Sequence, residues 1–184
     1  IFTLINYYYI FYMRIEEEIK LDYSDVLFRP KRSTLKSRKE VELLRTYKFK
    51  HSNREWTGIP IIASNMDGVG ELGVAKNLSK YKIITSLTKQ HNLKSINSFK
   101  EIKDIYNYVA ISCGTSKDSF ERLNEIVSEH TYIQFICIDV ANGYSENFSN
   151  FVSSVRDKYP SKTIIAGNVV TADMTQELIL SGAD

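Results

Sequence analysis

The sequence predicts an α/β fold, a partial (β/α)8 barrel made of about the first five βα units behind an N-terminal arm. Three observations predict it. Short apolar runs rich in β-branched residues occur at 59–64, 82–87, 108–113, 134–140 and 163–167, and each is apolar almost throughout, as strands buried on both faces should be. Their starts are spaced by 23, 26, 26 and 29 residues, the interval of successive βα units. The segments between them carry helical stripes: Phe120, Leu123, Ile126 and Val127 in one, Phe148, Phe151, Val152 and Val155 in another, spaced to share one face of a helix.

Along the chain, residues 1–12 (IFTLINYYYIFY) are apolar and aromatic. They are shorter than the roughly 20 residues a bilayer span needs and lack the basic start and cleavage site of a signal peptide. Position 1 is Ile and Met13 opens a segment of different composition. Met13 is therefore the expected natural start and 1–12 an upstream extension; a native strand packed on the domain is the rival reading. Residues 13–184 are expected to form the N-terminal part of one barrel domain. Within them, 21–50 read as an irregular arm, with Arg29 held extended by Pro30, followed by a short strand at Tyr47-Lys48-Phe49-Lys50 that helps plug the bottom of the barrel. The last unit, 172–182, is a helix. Five units fall short of the eight a barrel needs, so the chain is expected to be cut. A doubly wound sheet has the same rhythm. We expect no G-x-G-x-x-G turn opening a helix after the first strand, which weakens that alternative.

The balance of 24 Lys and Arg against 22 Asp and Glu, with 43% hydrophobic residues, is that of a globular protein. It points to neither nucleic acid nor a membrane as a partner. The one basic cluster, Arg29, Lys31, Arg32, Lys36, Arg38 and Lys39, is either a solvated loop or an anion-contacting arm. Cys113 and Cys137 lie in apolar runs, where small buried hydrophobes are the default. His51, His91 and His130 are scattered. No metal-ligand spacing appears, and a reducing, cytoplasmic setting fits.

Chemistry in such a barrel sits where strands end. The runs end in Asn65-Met66-Asp67, in Thr88-Lys89-Gln90-His91, in Gly114-Thr115-Ser116, in Asp139-Val140-Ala141-Asn142-Gly143, and in Gly167-Asn168. Any one alone reads as turn chemistry. Asp139 carries more weight, because it sits inside an apolar strand, where a carboxylate is costly to bury without a cation, a donor or a polar ligand. Lys89 is the expected partner across the barrel mouth; a solvated loop lysine is the bland alternative.

The segments D-V-L-F-R-P-K-R-S-T-L-K-S-R (25–38), S-N-M-D (64–67), C-I-D-V-A-N-G-Y-S-E (137–146), A-G-N-V-V-T (166–171) and E-L-I-L-S-G-A-D (177–184), with Met13-Arg14-Ile15-Glu16-Glu17 ahead of them, closely resemble the GMP reductases. The likeness runs from Met13 to Asp184, and 137–146 is its most specific part. The sister family, the IMP dehydrogenases, typically has a D-T-A-H-G type sequence there and an inserted regulatory module. Only residues 90–108 separate Lys89 from Val109, which leaves no room for one.

The resemblance implies reductive deamination of GMP by NADPH to IMP, NADP⁺ and ammonia, a step of purine nucleotide salvage, in a cytoplasmic homotetramer. It implies an attacking cysteine that splits one displacement into two steps. By position it makes Lys89 and Asp139 catalytic, and makes Ser37, Arg38, Lys89, Asp139, Val140 and Ala141 contacts of the cofactor. Asn65, Met66, Asp67 and Asn168 fall at the mouth of the substrate site. An arginine such as Arg38 suits the 2′-phosphate of NADPH. The family's catalytic cysteine and monovalent-cation (K⁺) loop are expected roughly ten residues beyond Asp184 by the layout of the barrel, so the cation site lies outside this stretch. Cys137 matches a non-catalytic cysteine, and Cys113 a Ser or Thr position. The chain departs from the family at Gly68, where Thr is usual, and at Thr88 and Gln90, where relatives carry histidines. By this reading 184 residues without the nucleophile are inactive. An IMP dehydrogenase-like oxidoreductase and a non-catalytic truncated barrel are the alternatives.

Overall fold

The computed structural model describes residues 17–102 and 104–184; the expectations for 1–12 and Met13 lie outside the described residues. The chain divides at Val41/Glu42 into two units. In the first, two short 3-10 turns, Tyr23–Asp25 and Arg38–Glu40, interrupt extended chain. Asp22 and Asp25 cap each other's backbone at the first turn. The Ser37 hydroxyl accepts from Lys39 N (3.3 Å) at the second, the local geometry an N-cap serine favours.

The second unit opens with a hairpin: β1 (Arg45–Lys48) pairs antiparallel with β2 (Glu55–Gly58). Five strands then form a parallel sheet in the order β3 (Ile62–Ala63), β4 (Ile84–Leu87), β5 (Val109–Cys113), β6 (Phe135–Asp139) and β7 (Thr163–Gly167). Helices α1 (Leu72–Leu78), α2 (Leu93–Ile96), α3 (Lys117–Glu129), α4 (Glu146–Lys158) and α5 (Ala172–Leu180) lie between and after the strands. Helices α3, α4 and α5 each start on a hydroxyl cap, Ser116, Ser145 and Thr171, which accepts an otherwise unpaired backbone N–H.

The strand order decides between the two candidate α/β folds. Within the parallel sheet each strand pairs with the next in sequence, whereas a doubly wound sheet reverses direction at a switch point. The two faces agree. Side chains alternate across a strand, and Val109, Ile111, Cys113, Ile136, Ile138 and Ile164 pack with helical Leu123, Ile126, Phe148, Val152 and Leu178. The opposite face carries Ile84, Ala110, Phe135 and Cys137, closed by Trp56 and Phe49 from the hairpin rather than by a helix. Helices on one face only, with a filled interior on the other, is the construction of a barrel wall.

One expectation is corrected here. Gly68-Val69-Gly70-Glu71-Leu72-Gly73 does have the G-x-G-x-x-G spacing, after β3 and into α1. Strand order, not the lack of that motif, rejects the doubly wound fold. Of its three glycines, Gly70 has a packing reason, whereas a Cβ on Gly68 or Gly73 would meet nothing within 4 Å. A Cβ on Gly70 would meet Ser86 O at 2.6 Å, so the loop after β3 can lie against β4 only with glycine there.

The expected short strand at 47–50 is found two residues earlier, at Arg45–Lys48, with Phe49 and Lys50 in the connection that follows, and it has a partner that the sequence did not announce. Trp56 is 7% exposed, donates its indole N–H to Asn107 O at 3.0 Å, and packs edge-on against Tyr108 and Phe135. The first predicted strand, 59–64, shrinks to Ile62–Ala63.

Candidate functional site

Moving along the inner face from the hairpin toward the C-terminal ends of the strands, the side chains change character. Aromatic Trp56, Tyr108 and Phe135 come first. Ser86 and Ser112 follow, their buried hydroxyls 3.0 Å apart, beside Cys137. At the rim stand Lys89, just past β4, and Asp139, the last residue of β6. Lys89 Nζ lies 2.9 Å from Asp139 Oδ2 and donates to Asp139 O at 2.6 Å. To get there it crosses the end of β5, where Nζ is 4.0 Å from the point a Cβ on Gly114 would occupy. The side chains are 41% and 28% exposed. The pair is therefore open to a ligand rather than sealed in the core, and two of the three ammonium donors are already committed to one residue.

Asn168 joins from β7. Its backbone N–H and its Nδ2 both donate to Val140 O (2.9 and 3.2 Å), and its carbonyl accepts from Gly143 N (2.9 Å). A Cβ on Gly143 would lie 2.7 Å from Asn168 O, so glycine is what allows this approach. Asn65, Met66 and Asp67 sit in the loop after β3, which meets the start of the Lys89 loop where Thr88 N donates to Gly70 O (3.0 Å). The sequence-predicted residues Lys89, Asp139, Val140, Ala141 and Asn168 are thus gathered on one rim, with 65–67 on the neighbouring loop. Ser37 and Arg38 belong to the first unit.

Two residues were missed by the sequence reading. Arg122, on α3, donates through Nη1 to His91 O (2.5 Å) and through Nη2 to Ser112 O. Burial pushes its pKa down. It ties the loop that carries Lys89 to β5, and its only signal was a cation on the border of an apolar stripe. Tyr144 binds the rim loops of β6 and β7 together: its hydroxyl donates to Thr171 Oγ1 (3.1 Å) and accepts from Val170 N (2.8 Å).

Neither cysteine has the surroundings that activate a thiol. Both are buried. Burial, with Cys137 nearby, pushes the Cys113 thiol up to about 12, and burial also raises Cys137; a reactive cysteine needs the reverse. Among the described residues no group of three His, Cys, Asp or Glu side chains could hold a metal ion. None of the described helices is long and apolar enough to cross a membrane.

Comparison with known proteins fits this geometry. The profile of the IMP dehydrogenase / GMP reductase domain matches residues 20–184. The chain belongs to the IMP dehydrogenase / GMP reductase family. A protein named GMP reductase from Citrobacter koseri is 51% identical over 174 residues, 94% of this chain and 50% of that protein. Another of the same name from Klebsiella pneumoniae is 52% identical over the same extent. Among solved structures, inosine 5′-monophosphate dehydrogenase from Legionella pneumophila matches with a TM-score of 0.71 at 27% identity, over 88% of this chain and 48% of that one. The chain therefore spans about half the length of the family members it matches, and its parallel sheet with helices on one face is part of that family's barrel.

Proposed function

We propose that this chain is the N-terminal part of a GMP reductase, an oxidoreductase that converts GMP and NADPH to IMP, NADP⁺ and ammonia in purine nucleotide salvage. The single observation that carries the reading is the Lys89–Asp139 pair at the C-terminal rim, 2.9 Å apart, in a chain 51% identical to a GMP reductase. The family places its chemistry at such a rim.

In the reaction the bond between purine C2 and its amino nitrogen breaks, C2 gains a hydride, and the amine leaves as ammonia with an added proton. The nicotinamide supplies the hydride. Lys89, an ammonium with one donor free, delivers the proton to the leaving nitrogen and holds polar atoms of the ligands. Asp139 fixes that ammonium through Oδ2 and its own carbonyl, which is orientation set before reaction. Asp139, Val140 and Ala141 are partly or fully exposed at the rim and would hold the nicotinamide there. Asn65, Met66, Asp67 and Asn168 line the purine side. Ser37 and Arg38, on an arm that the family resemblance puts across a subunit boundary, would contact the cofactor of a neighbouring subunit, the guanidinium matching an anionic 2′-phosphate. The covalent step needs a thiolate, which neither buried cysteine offers, so these 184 residues alone should not turn over. The K⁺ site, the homotetramer and a cytoplasmic setting are properties proposed for the complete enzyme.

The likeness to an IMP dehydrogenase structure favours one competing reading, the opposite oxidation of IMP by NAD⁺. A polypeptide carrying this sequence at the length of its relatives, assayed with both substrate pairs, separates them. GMP-dependent NADPH oxidation is expected; IMP-dependent NAD⁺ reduction without it would reverse the assignment.

A further inference from the structure

The other end of the sheet holds a second polar site. A cavity of about 350 Å³ lies at the N-terminal ends of β6 and β7, lined by Ser52 and Arg54 of the hairpin, Thr131, Tyr132 and Gln134 before β6, and Ser161 and Lys162 before β7. No carboxylate lines it. Asp184, at its edge through Ser52, is paired with Arg156 (2.5 Å). Among the described residues the Arg54 guanidinium has no ion-pair or hydrogen-bond partner. Lys162 Nζ donates to Thr131 O (2.5 Å) and Ile133 O (2.6 Å), which leaves its charge balanced only by carbonyl dipoles. Burial lowers the pKa of Lys162, and repulsion from the Arg54 guanidinium lowers it further. One buried side-chain oxygen in the wall, Gln134 Oε1, has no partner either. A 180° turn of that carboxamide presents Nε2 to the same space. An adjoining cavity of about 230 Å³ shares Arg54 and Gln134 and adds Lys82 and Glu55, so cations still outnumber acids across both.

Two half-buried cations facing each other, with an unpaired amide and hydroxyls around them, lack one thing: an anion. We propose that this cavity is a binding site for the phosphate group of a small phosphomonoester. The guanidinium fork of Arg54 matches a phosphate bidentately, Lys162 supplies a point charge, and Ser161, Thr131 and Gln134 supply neutral donors. The volume exceeds that of a bare oxyanion and falls at the low end of small-molecule pockets, about 300–1,000 Å³, with room for a sugar-sized remainder in the adjoining cavity.

The test is calorimetric titration of the 184-residue chain with inorganic phosphate and with ribose 5-phosphate, each against sodium chloride at equal ionic strength. Saturable binding of both is expected, weakened about tenfold or more in Arg54→Gln and unchanged in the surface control Lys117→Gln. Tighter binding of ribose 5-phosphate than of inorganic phosphate is expected for a phosphomonoester site; equal binding shows a site for the free ion and overturns the phosphomonoester. Lys162→Met should lose binding as well, but because Lys162 holds two backbone carbonyls the deciding variant is Arg54→Gln, with its fold checked by circular dichroism. Phosphate heat no larger than that of chloride, or unchanged binding in Arg54→Gln, overturns the proposal.

Discussion

Lys89 and Asp139, 50 residues apart in sequence, meet across the end of β5, with the lysine Nζ 2.6 Å from the aspartate's carbonyl oxygen and 2.9 Å from its carboxylate. A side chain that contacts both the backbone and the carboxylate of one residue is held more firmly than a simple ion pair. Because both groups are partly exposed, the stabilisation is modest: Lys89→Met should cost about 1 kcal/mol, less at high salt. Asp139→Asn should cost less, since the carbonyl contact survives. Urea denaturation at two salt concentrations checks both, and equal losses would argue that the carboxylate is the only partner that matters.

Arg122 should matter more to the Lys89 loop than its place on a helix suggests. Its two charge-assisted bonds, to His91 O and Ser112 O, bridge the loop and β5. Arg122→Met leaves two half-buried carbonyls unpaired and should destabilise the chain by about 2 kcal/mol. Hydrogen exchange at 89–91 should accelerate more than exchange in β6. Uniform acceleration would show a general loss of packing instead.

Among the described residues Arg156 and Asp184 form the most enclosed ion pair, with side chains 13% and 0% exposed. Asp184 also accepts from His51 N (2.8 Å), Ser52 N (3.1 Å) and Ile164 N (3.0 Å), joining the hairpin turn to β7. Removing one partner strands a buried charge, so Arg156→Met should cost about 3–5 kcal/mol. A loss below about 1 kcal/mol in urea unfolding would mean that the pair is far better solvated than its geometry implies.

Acid should weaken the fold through His130. The ring is buried, with Nδ1 3.1 Å from the Tyr106 hydroxyl and Nε2 unpartnered among the described residues. Burial, helped by Lys100 and opposed by Glu129, lowers its pKa below the usual 6.5. The native state thus holds the neutral ring while the unfolded chain takes up a proton. The stability this contributes is complete above pH of about 6.5 and is lost as pH falls toward the depressed native value, at up to about 1.4 kcal/mol per pH unit. Urea midpoints of the wild type and His130→Phe between pH 7 and 5 check it: the wild type should lose its advantage on the acid side.

The five-strand sheet was legible because its central strands are buried on both faces and so are written as apolar runs; β7 even begins and ends where its run does. The hairpin's second strand was not, since only Trp56 and Gly58 of Glu55–Gly58 are buried and four residues carry too little pattern. The run at 59–64 misled in the other direction: Ile61 and Ile62 are apolar yet exposed, and among the described residues β3 pairs with β4 alone. At the rim, Asp139 was legible because a carboxylate inside an apolar strand demands a partner, and Lys89 was the cation in reach. Arg122 was not, since its partners are backbone carbonyls, which leave no mark in a sequence. Within the G-x-G-x-x-G spacing at 68–73, only Gly70 answers to the close approach of the loop to Ser86, a contact fixed by tertiary packing.

The central claim is that Lys89 and Asp139 act as one catalytic unit, and a double-mutant cycle in kcat/KM for GMP-dependent NADPH oxidation tests it most directly. It uses Lys89→Met, Asp139→Asn and the pair, in a polypeptide of the relatives' full length. Each single change should lower kcat/KM by about 10²-fold or more, the range of a lost proton donor, and the double variant should be little worse than Lys89→Met alone. Losses that multiply in the double variant would show two independent residues and contradict the account.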